Sequence, residues 1–192
     1  MKRVGVLALQ GDFESHQRAL EVAGAEAWQV RTASDLEAID GLVIPGGEST
    51  TMLKLLRAEN LFDTIRDFGL RKPIFGTCAG AILLAREVCN PQQESFGLMN
   101  IAVERNAYGR QIDSHITHLL PGPEFTDRTE PGNLECVFIR APIIRHIYDG
   151  VRVLLAGEEG PVLVEEGMHL AATFHPELTR DSRVHKLFLA KL

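Results

Sequence analysis

Apolar runs and helix-period stripes alternate along the first half of the chain. Val4-Gly5-Val6-Leu7-Ala8-Leu9 is continuously apolar, the pattern of a strand buried on both faces of a parallel sheet. Gln10-Gly11-Asp12 turns the chain, and Phe13, Gln17, Leu20 and Gly24 fall on one stripe of a following helix that Gly24 ends. Ala27 to Val30 predicts a second strand, Asp35 to Ile39 a short helical connection, and Asp40 to Ile44 a third strand stopped by Pro45-Gly46-Gly47. Ser49, Thr50 and Thr51 are N-cap candidates for a helix with Met52, Leu53 and Leu56 inward. Leu61, Phe62, Ile65 and Phe68 mark another amphipathic helix, Pro73 to Phe75 a buried strand, and Ala81 to Arg86 a run of helix formers. This alternation of strand and helix predicts a parallel sheet with helices on both faces.

Beyond Glu87 the pattern changes. Phe96 to Val103 and Val137 to Ile139 read as strands, separated by the loop-like Pro121-Gly122-Pro123 and Glu130-Pro131-Gly132. Val151 to Leu155, a Gly157-Glu158-Glu159-Gly160 turn, Pro161 to Val164 and His169 to Phe174 predict successive short strands, antiparallel to one another. A terminal helix from Asp181 turns Val184, Leu187 and Phe188 inward. With no internal repeat or linker, the expectation is one α/β domain over residues 1–192: three layers, a mostly parallel central sheet with helices on both faces, and a small antiparallel extension.

Composition narrows the function classes without choosing one. The 192 residues are 45% hydrophobic and 24% charged, enough to build a full core. A net charge of −6 argues against a general nucleic-acid binder. No apolar stretch approaches membrane-spanning length and no secretory leader is evident, so a cytoplasmic protein with no membrane partner is expected. The cysteines, Cys78, Cys89 and Cys136, are an odd and sparse set without metal spacing, so neither a disulfide framework nor a metal site is expected.

The candidate chemistry centres on Gly76-Thr77-Cys78-Ala79-Gly80, where strand passes sharply into helix. Glycines at 76 and 80 leave room for a crowded elbow, and the helix start offers unpaired N–H groups and partial positive charge near the sulfur. A buried, space-filling cysteine is the plainer alternative. Phe174-His175-Pro176-Glu177 follows the last strand, and its spacing lets Glu177 hold one imidazole nitrogen of His175 while the other faces a thiol. Cys78, His175 and Glu177 thus become candidate nucleophile, base and orienter at the carboxyl ends of strands, where open α/β sheets carry their sites. In Pro45-Gly46-Gly47-Glu48-Ser49, glycines permit close backbone approach; the Gly47 and Ala79 N–H groups are the candidate oxyanion hole.

Gly76 to Gly80, Pro45 to Thr51 and Phe174 to Thr179 together resemble class I (triad-type) glutamine amidotransferases. More narrowly, Gly5 to Gly11, Val103 to Gln111 and Phe138 to Pro142 resemble the glutaminase-subunit family of pyridoxal 5′-phosphate synthase, in a match that runs nearly end to end. The resemblance implies a class I glutamine amidotransferase-like, flavodoxin-like fold. It implies that Cys78 attacks the side-chain amide of L-glutamine, releasing ammonia and leaving a γ-glutamyl thioester that water clears. Gly46, Gly47, Glu48, Ser49, Arg105, Ile139 and Arg140 would line the glutamine pocket, with Arg105 suited to the α-carboxylate and Glu48 to the α-ammonium. It implies no cofactor of the chain's own, and a (β/α)8-barrel synthase partner in a large hetero-oligomer. That partner would take the ammonia for vitamin B6 synthesis from ribose 5-phosphate and glyceraldehyde 3-phosphate. Alternatives on the same fold are the glutaminase of another biosynthetic pathway, a thiol peptidase-like protein, or a non-enzymatic subunit.

One stretch departs from the family pattern. Asp113-Ser114-His115-Ile116-Thr117-His118 carries His118 where an acidic residue is commoner. His115 and His118 suggest a metal pair only weakly, since no third ligand is in register, and solvent-facing positions are the plainer reading. His16, His146, His169 and His185 are expected on helix surfaces or in packing, without a functional role.

Overall fold

In a computed structural model, residues 1–107 and 114–192 are described. Tyr108 to Gln111, part of the family-resembling block, and Asp113 lie outside the described residues. The strands are β1 (Arg3–Leu7), β2 (Glu26–Val30), β3 (Gly41–Ile44), β4 (Ile74–Thr77), β5 (Ala85–Cys89), β6 (Met99–Glu104), β7 (Ser114–Leu119), β8 (Leu134–Ile139), β9 (Ile143–Ile147), β10 (Arg152–Gly157), β11 (Gly160–Glu166) and β12 (His169–Ala172). The helices are α1 (Phe13–Val22), α2 (Ser49–Ala58), α3 (Phe62–Gly69), α4 (Ala79–Leu84), α5 (Pro123–Thr126) and α6 (Arg183–Leu189), with 3-10 segments at Ala33–Ala38 and Pro176–Leu178.

The central sheet runs β10-β11-β12-β4-β3-β1-β2. Its β12, β4, β3, β1 and β2 pair in parallel, while β11 and β10 add the antiparallel extension that the short carboxyl-terminal strands predict. Because strand side chains alternate, each inner strand feeds two cores. Leu42, Ile44 and Ile74 pack with Met52, Leu56, Phe62 and Ile65 of α2 and α3. Val43 and Phe75, one residue out of phase, pack on the opposite face with Leu20 of α1 and Val184, Leu187 and Phe188 of α6. Two smaller sheets, β5-β6-β9 and β7-β8, flank this frame.

Several local readings are corrected. The helix after the elbow stops at Leu84, not Arg86, because the N–H groups of Phe96 and Leu98 take the carbonyls of Leu83 and Leu84 at 2.7 and 3.0 Å. Ala85 then pairs with Met99 and the chain continues as β5. Phe96 fills the core ahead of β6 rather than lying in a strand. The residue capping α2 is Glu48, whose carboxylate accepts from the N–H groups of Thr50 (3.1 Å) and Thr51 (2.6 Å). The buried stripe of α1 is rotated toward Ser15, His16 and Leu20, leaving Phe13 and Gln17 half-buried. The edge strand β9 had no counterpart among the sequence-derived elements.

Candidate functional site

Three neighbouring strands assemble the site. In β3, Ile44 pairs with Gly76 of β4; in β12, Ala172 pairs with Thr77. Their carboxyl ends therefore stop at one level of the sheet, and the segments that leave them meet. Those segments are Pro45 to Ser49 from β3, Cys78 from β4 and Thr173 to Glu177 from β12.

Cys78 stands at the apex with φ 51° and ψ −106°, a region that side-chain-bearing residues seldom occupy. Its N–H donates to Ala172 O at 2.9 Å, which pins the elbow to β12. The glycine requirement follows from contact distances. A Cβ on Gly76 would lie 2.5 Å from the Gly80 carbonyl, and one on Gly80 would lie 2.1 Å from Ile44 O. Both obstacles are backbone, so neither can yield. Ala79 occupies the first position of α4, where its N–H has no acceptor within its own helix.

His175 and Glu177 flank the start of the second 3-10 segment, where Pro176 sets the turn. His175 N donates to Val137 O at 2.8 Å, tying this segment to β8. Nδ1 of His175 lies 2.6 Å from Glu177 Oε1, and its ring and Cys78 Cβ both lie against Gly46. Burial alone would lower the His175 pKa. Interactions with Cys78 and Glu177 overcome it and raise the value to about 10. Burial likewise pushes Glu177 upward, but the neighbouring histidines outweigh it and hold the carboxyl below its usual range. Cys136, by contrast, is pushed up to about 12, chiefly by burial, and stays a thiol.

Gly46 backs the pair: a Cβ there would come within 2.4 Å of His175 Cε1 and 3.3 Å of Cys78 Cβ. Gly47 has φ 150°, and a Cβ on it would strike the Gln10 side chain, whose Oε1 accepts from Glu48 N at 3.1 Å. At the start of α2, Arg105 Nη2 donates to Thr50 Oγ1 at 2.6 Å and lies 3.8 Å from Glu48 Oε1. Ser49 donates to Gln93 Oε1 at 3.2 Å. Among the described residues, Arg105 Nε and Gln93 Nε2 are buried without an acceptor, leaving polar capacity in this wall. Ile139 and the following Arg140, with φ 46°, continue β8 past Val137 and so past His175.

His115 and His118 do not share a site. Three apart on β7, they face opposite ways: His115 stacks on Phe138 at 4.8 Å and His118 approaches Glu135 at 3.5 Å. Of the two readings for His16 and His185, the structure shows packing rather than helix surface: both are fully buried, and His16 Nε2 lies 3.3 Å from Glu177 Oε2. Gln10, His16, Thr77 and Gln93 were missed at this site. The available signal for His16 was its i, i+4 spacing to Leu20, which places a histidine on the inward stripe.

The profile of the SNO glutamine amidotransferase family matches residues 6–192. A relative from Solibacter usitatus, named pyridoxal 5′-phosphate synthase subunit PdxT, is 65% identical over the full length of both chains. A Thermus thermophilus protein of the same name is 48% identical, with 97% of this chain and 95% of its own covered. A crystal structure titled glutamine amidotransferase superposes with a TM-score of 0.87 at 46% identity, covering 98% of this chain and 97% of that one. These neighbours share the α/β amidotransferase fold.

Proposed function

The chain belongs to the SNO glutamine amidotransferase family, and from that premise we propose that it is the glutaminase subunit of a pyridoxal 5′-phosphate synthase, hydrolysing L-glutamine at Cys78. One observation carries the assignment of chemistry. A cysteine in a strained elbow sits beside a histidine whose Nδ1 is held by a buried carboxylate at 2.6 Å.

In this reading Cys78 gives its proton to His175 and attacks the carboxamide carbon. The N–H groups of Ala79 and Gly47 receive the developing oxyanion, each worth about 3–4 kcal/mol of barrier. His175 returns the proton to the departing ammonia, and a γ-glutamyl thioester remains. Water, deprotonated by His175, then releases glutamate. Glu177 fixes the ring and stabilises the imidazolium. The orphaned donors of Arg105 and Gln93 suit a polar, charged substrate, with Arg105 toward the α-carboxylate. Glu48 is first a helix cap, so an α-ammonium would share a carboxylate already holding Thr50 and Thr51. Gly46, Ser49, Ile139 and Arg140 complete the proposed pocket.

The ammonia passes to a synthase subunit, a (β/α)8 barrel in a hetero-oligomer, which the relatives' shared name supports as far as the word subunit goes. Glutamate release is measured with and without that subunit. Hydrolysis that rises strongly when the subunit is added is expected; none in its presence, or turnover of peptides instead, overturns the reading.

A further inference from the structure

Behind the triad lies a buried polar layer that the hydrolysis scheme above leaves unused. His16 projects from α1 to Glu177 Oε2 (3.3 Å) and to Thr77 Oγ1 (3.0 Å) through the same nitrogen, Nε2. Its other nitrogen, Nδ1, lies 3.1 Å from His185 Nε2 on α6. All of these side chains are buried, so each proton must be placed. An ionised carboxylate only accepts; a bare Nε2 lone pair facing Oε2 would be repulsive. Nε2 of His16 therefore carries the proton and donates it to Thr77 Oγ1, with Glu177 Oε2 alongside at 3.3 Å. In neutral His16 the remaining nitrogen accepts, so His185 donates from Nε2 and keeps a bare Nδ1. His185 Nδ1 is indeed an atom without a partner among the described residues.

We infer that His16 is a positioning residue for glutamine hydrolysis: anchored by Thr77, the residue before the nucleophile, its Nε2–H sets a positive dipole 3.3 Å from Oε2 of the triad carboxylate, Glu177. The inference rests on the glutaminase reading above. Glu177 Oε1 is held by His175, whereas the buried Oε2 has no aligned hydrogen-bond donor among the described residues and has the His16 Nε2 at 3.3 Å. Without His16 the carboxylate loses the dipole that faces Oε2, and the imidazolium loses a fixed counter-charge. The groups facing His16 are Asp12 of the α1 cap, Thr77 of β4, His175 and Glu177 of the 3-10 segment, and His185 of α6. Burial pushes the His16 pKa down, so the contact to Glu177 is that of a neutral ring's N–H dipole rather than an ion pair.

Two amide variants separate this role from packing. In His16→Gln the amide N–H reaches the place of Nε2, whereas in His16→Asn it stops at the place of Nδ1. Each is assayed with the synthase subunit present, and Cys78 alkylation by iodoacetamide is followed against pH. Expected for His16→Asn is a loss in kcat of about 10- to 100-fold with KM changed less than about 3-fold, the scale of one hydrogen bond to a charged group. The alkylation midpoint should also move up by about one pH unit, because the thiolate–imidazolium pair is less stabilised. His16→Gln should stay within about 5-fold of wild type with an unmoved midpoint, as about one retained hydrogen bond requires. Equal losses in both variants with an unmoved midpoint mean that His16 only packs, and wild-type rates in both mean that it does nothing; either overturns the inference. Should wild-type enzyme fail to release glutamate while still taking up iodoacetamide, the glutaminase reading itself has failed, and the inference with it.

Discussion

Cys78 pays for its position: φ 51° in a residue with a Cβ costs on the order of 1–3 kcal/mol, which the packing of Gly76, Gly80 and Ile44 must overdetermine. Such strain presents the sulfur beside His175 and the free first N–H of α4. Cys78→Ala and His175→Asn are each expected to lower glutamate release at least about 1,000-fold in protein that remains folded by circular dichroism; Glu177→Gln retains more activity. Wild-type rates in any of the three would remove that residue from the mechanism. Gly46→Ala tests the same geometry from behind, since its Cβ would sit 2.4 Å from His175 Cε1. Displacing the ring by about 1 Å should cost about 100-fold in kcat with the fold intact, and unchanged kcat would argue that the ring is not held there.

At the scale of elements, the site depends on where strands and helices end. The Gly80 contact with Ile44 O fixes α4 against β3, so Gly80→Ala should be far more damaging than a surface alanine and should yield little folded protein by circular dichroism. Helix α2 begins at Glu48, and Glu48→Ala should lower stability in urea by about 1 kcal/mol, whereas Ser49→Ala leaves the cap intact. The opposite ranking would return the cap to Ser49. Serine and threonine lead cap statistics, so the sequence favours them over a glutamate. An extended backbone at Glu48 (φ −99°, ψ 113°) lets the longer carboxylate fold back onto Thr50 and Thr51. Likewise α4 ends at Leu84 because Phe96 and Leu98 lie close enough to take its carbonyls, partners a local pattern does not contain.

Over the whole molecule, buried histidines on α1, β12 and α6 make stability depend on pH. Burial lowers His16 and His169, and, with the neighbouring His16 adding to it, brings His185 from 6.5 to about 3. A depressed folded pKa means that the unfolded chain binds the extra proton, so this stability is complete above about 6.5 and is lost as pH falls toward 3. His175 has the opposite sign: its contribution is present below 6.5 and lost as pH rises through about 10. The melting temperature should therefore decline below about pH 6.5, and His185→Leu should flatten that acid limb; an equally steep decline in the variant would place the titration elsewhere. The sequence by itself determined the parallel sheet, the elbow and the side chains nominated for the chemistry. Periodicity, glycine placement and short motifs are local properties, and they are written where they act. Only the tertiary structure decided that β3, β4 and β12 stop at one level, that Glu48 is a cap, and that His16 and His185 close a polar layer behind Glu177. Those relations join residues up to 169 positions apart, and burial, register and hydrogen-bond direction exist only once the chain has folded.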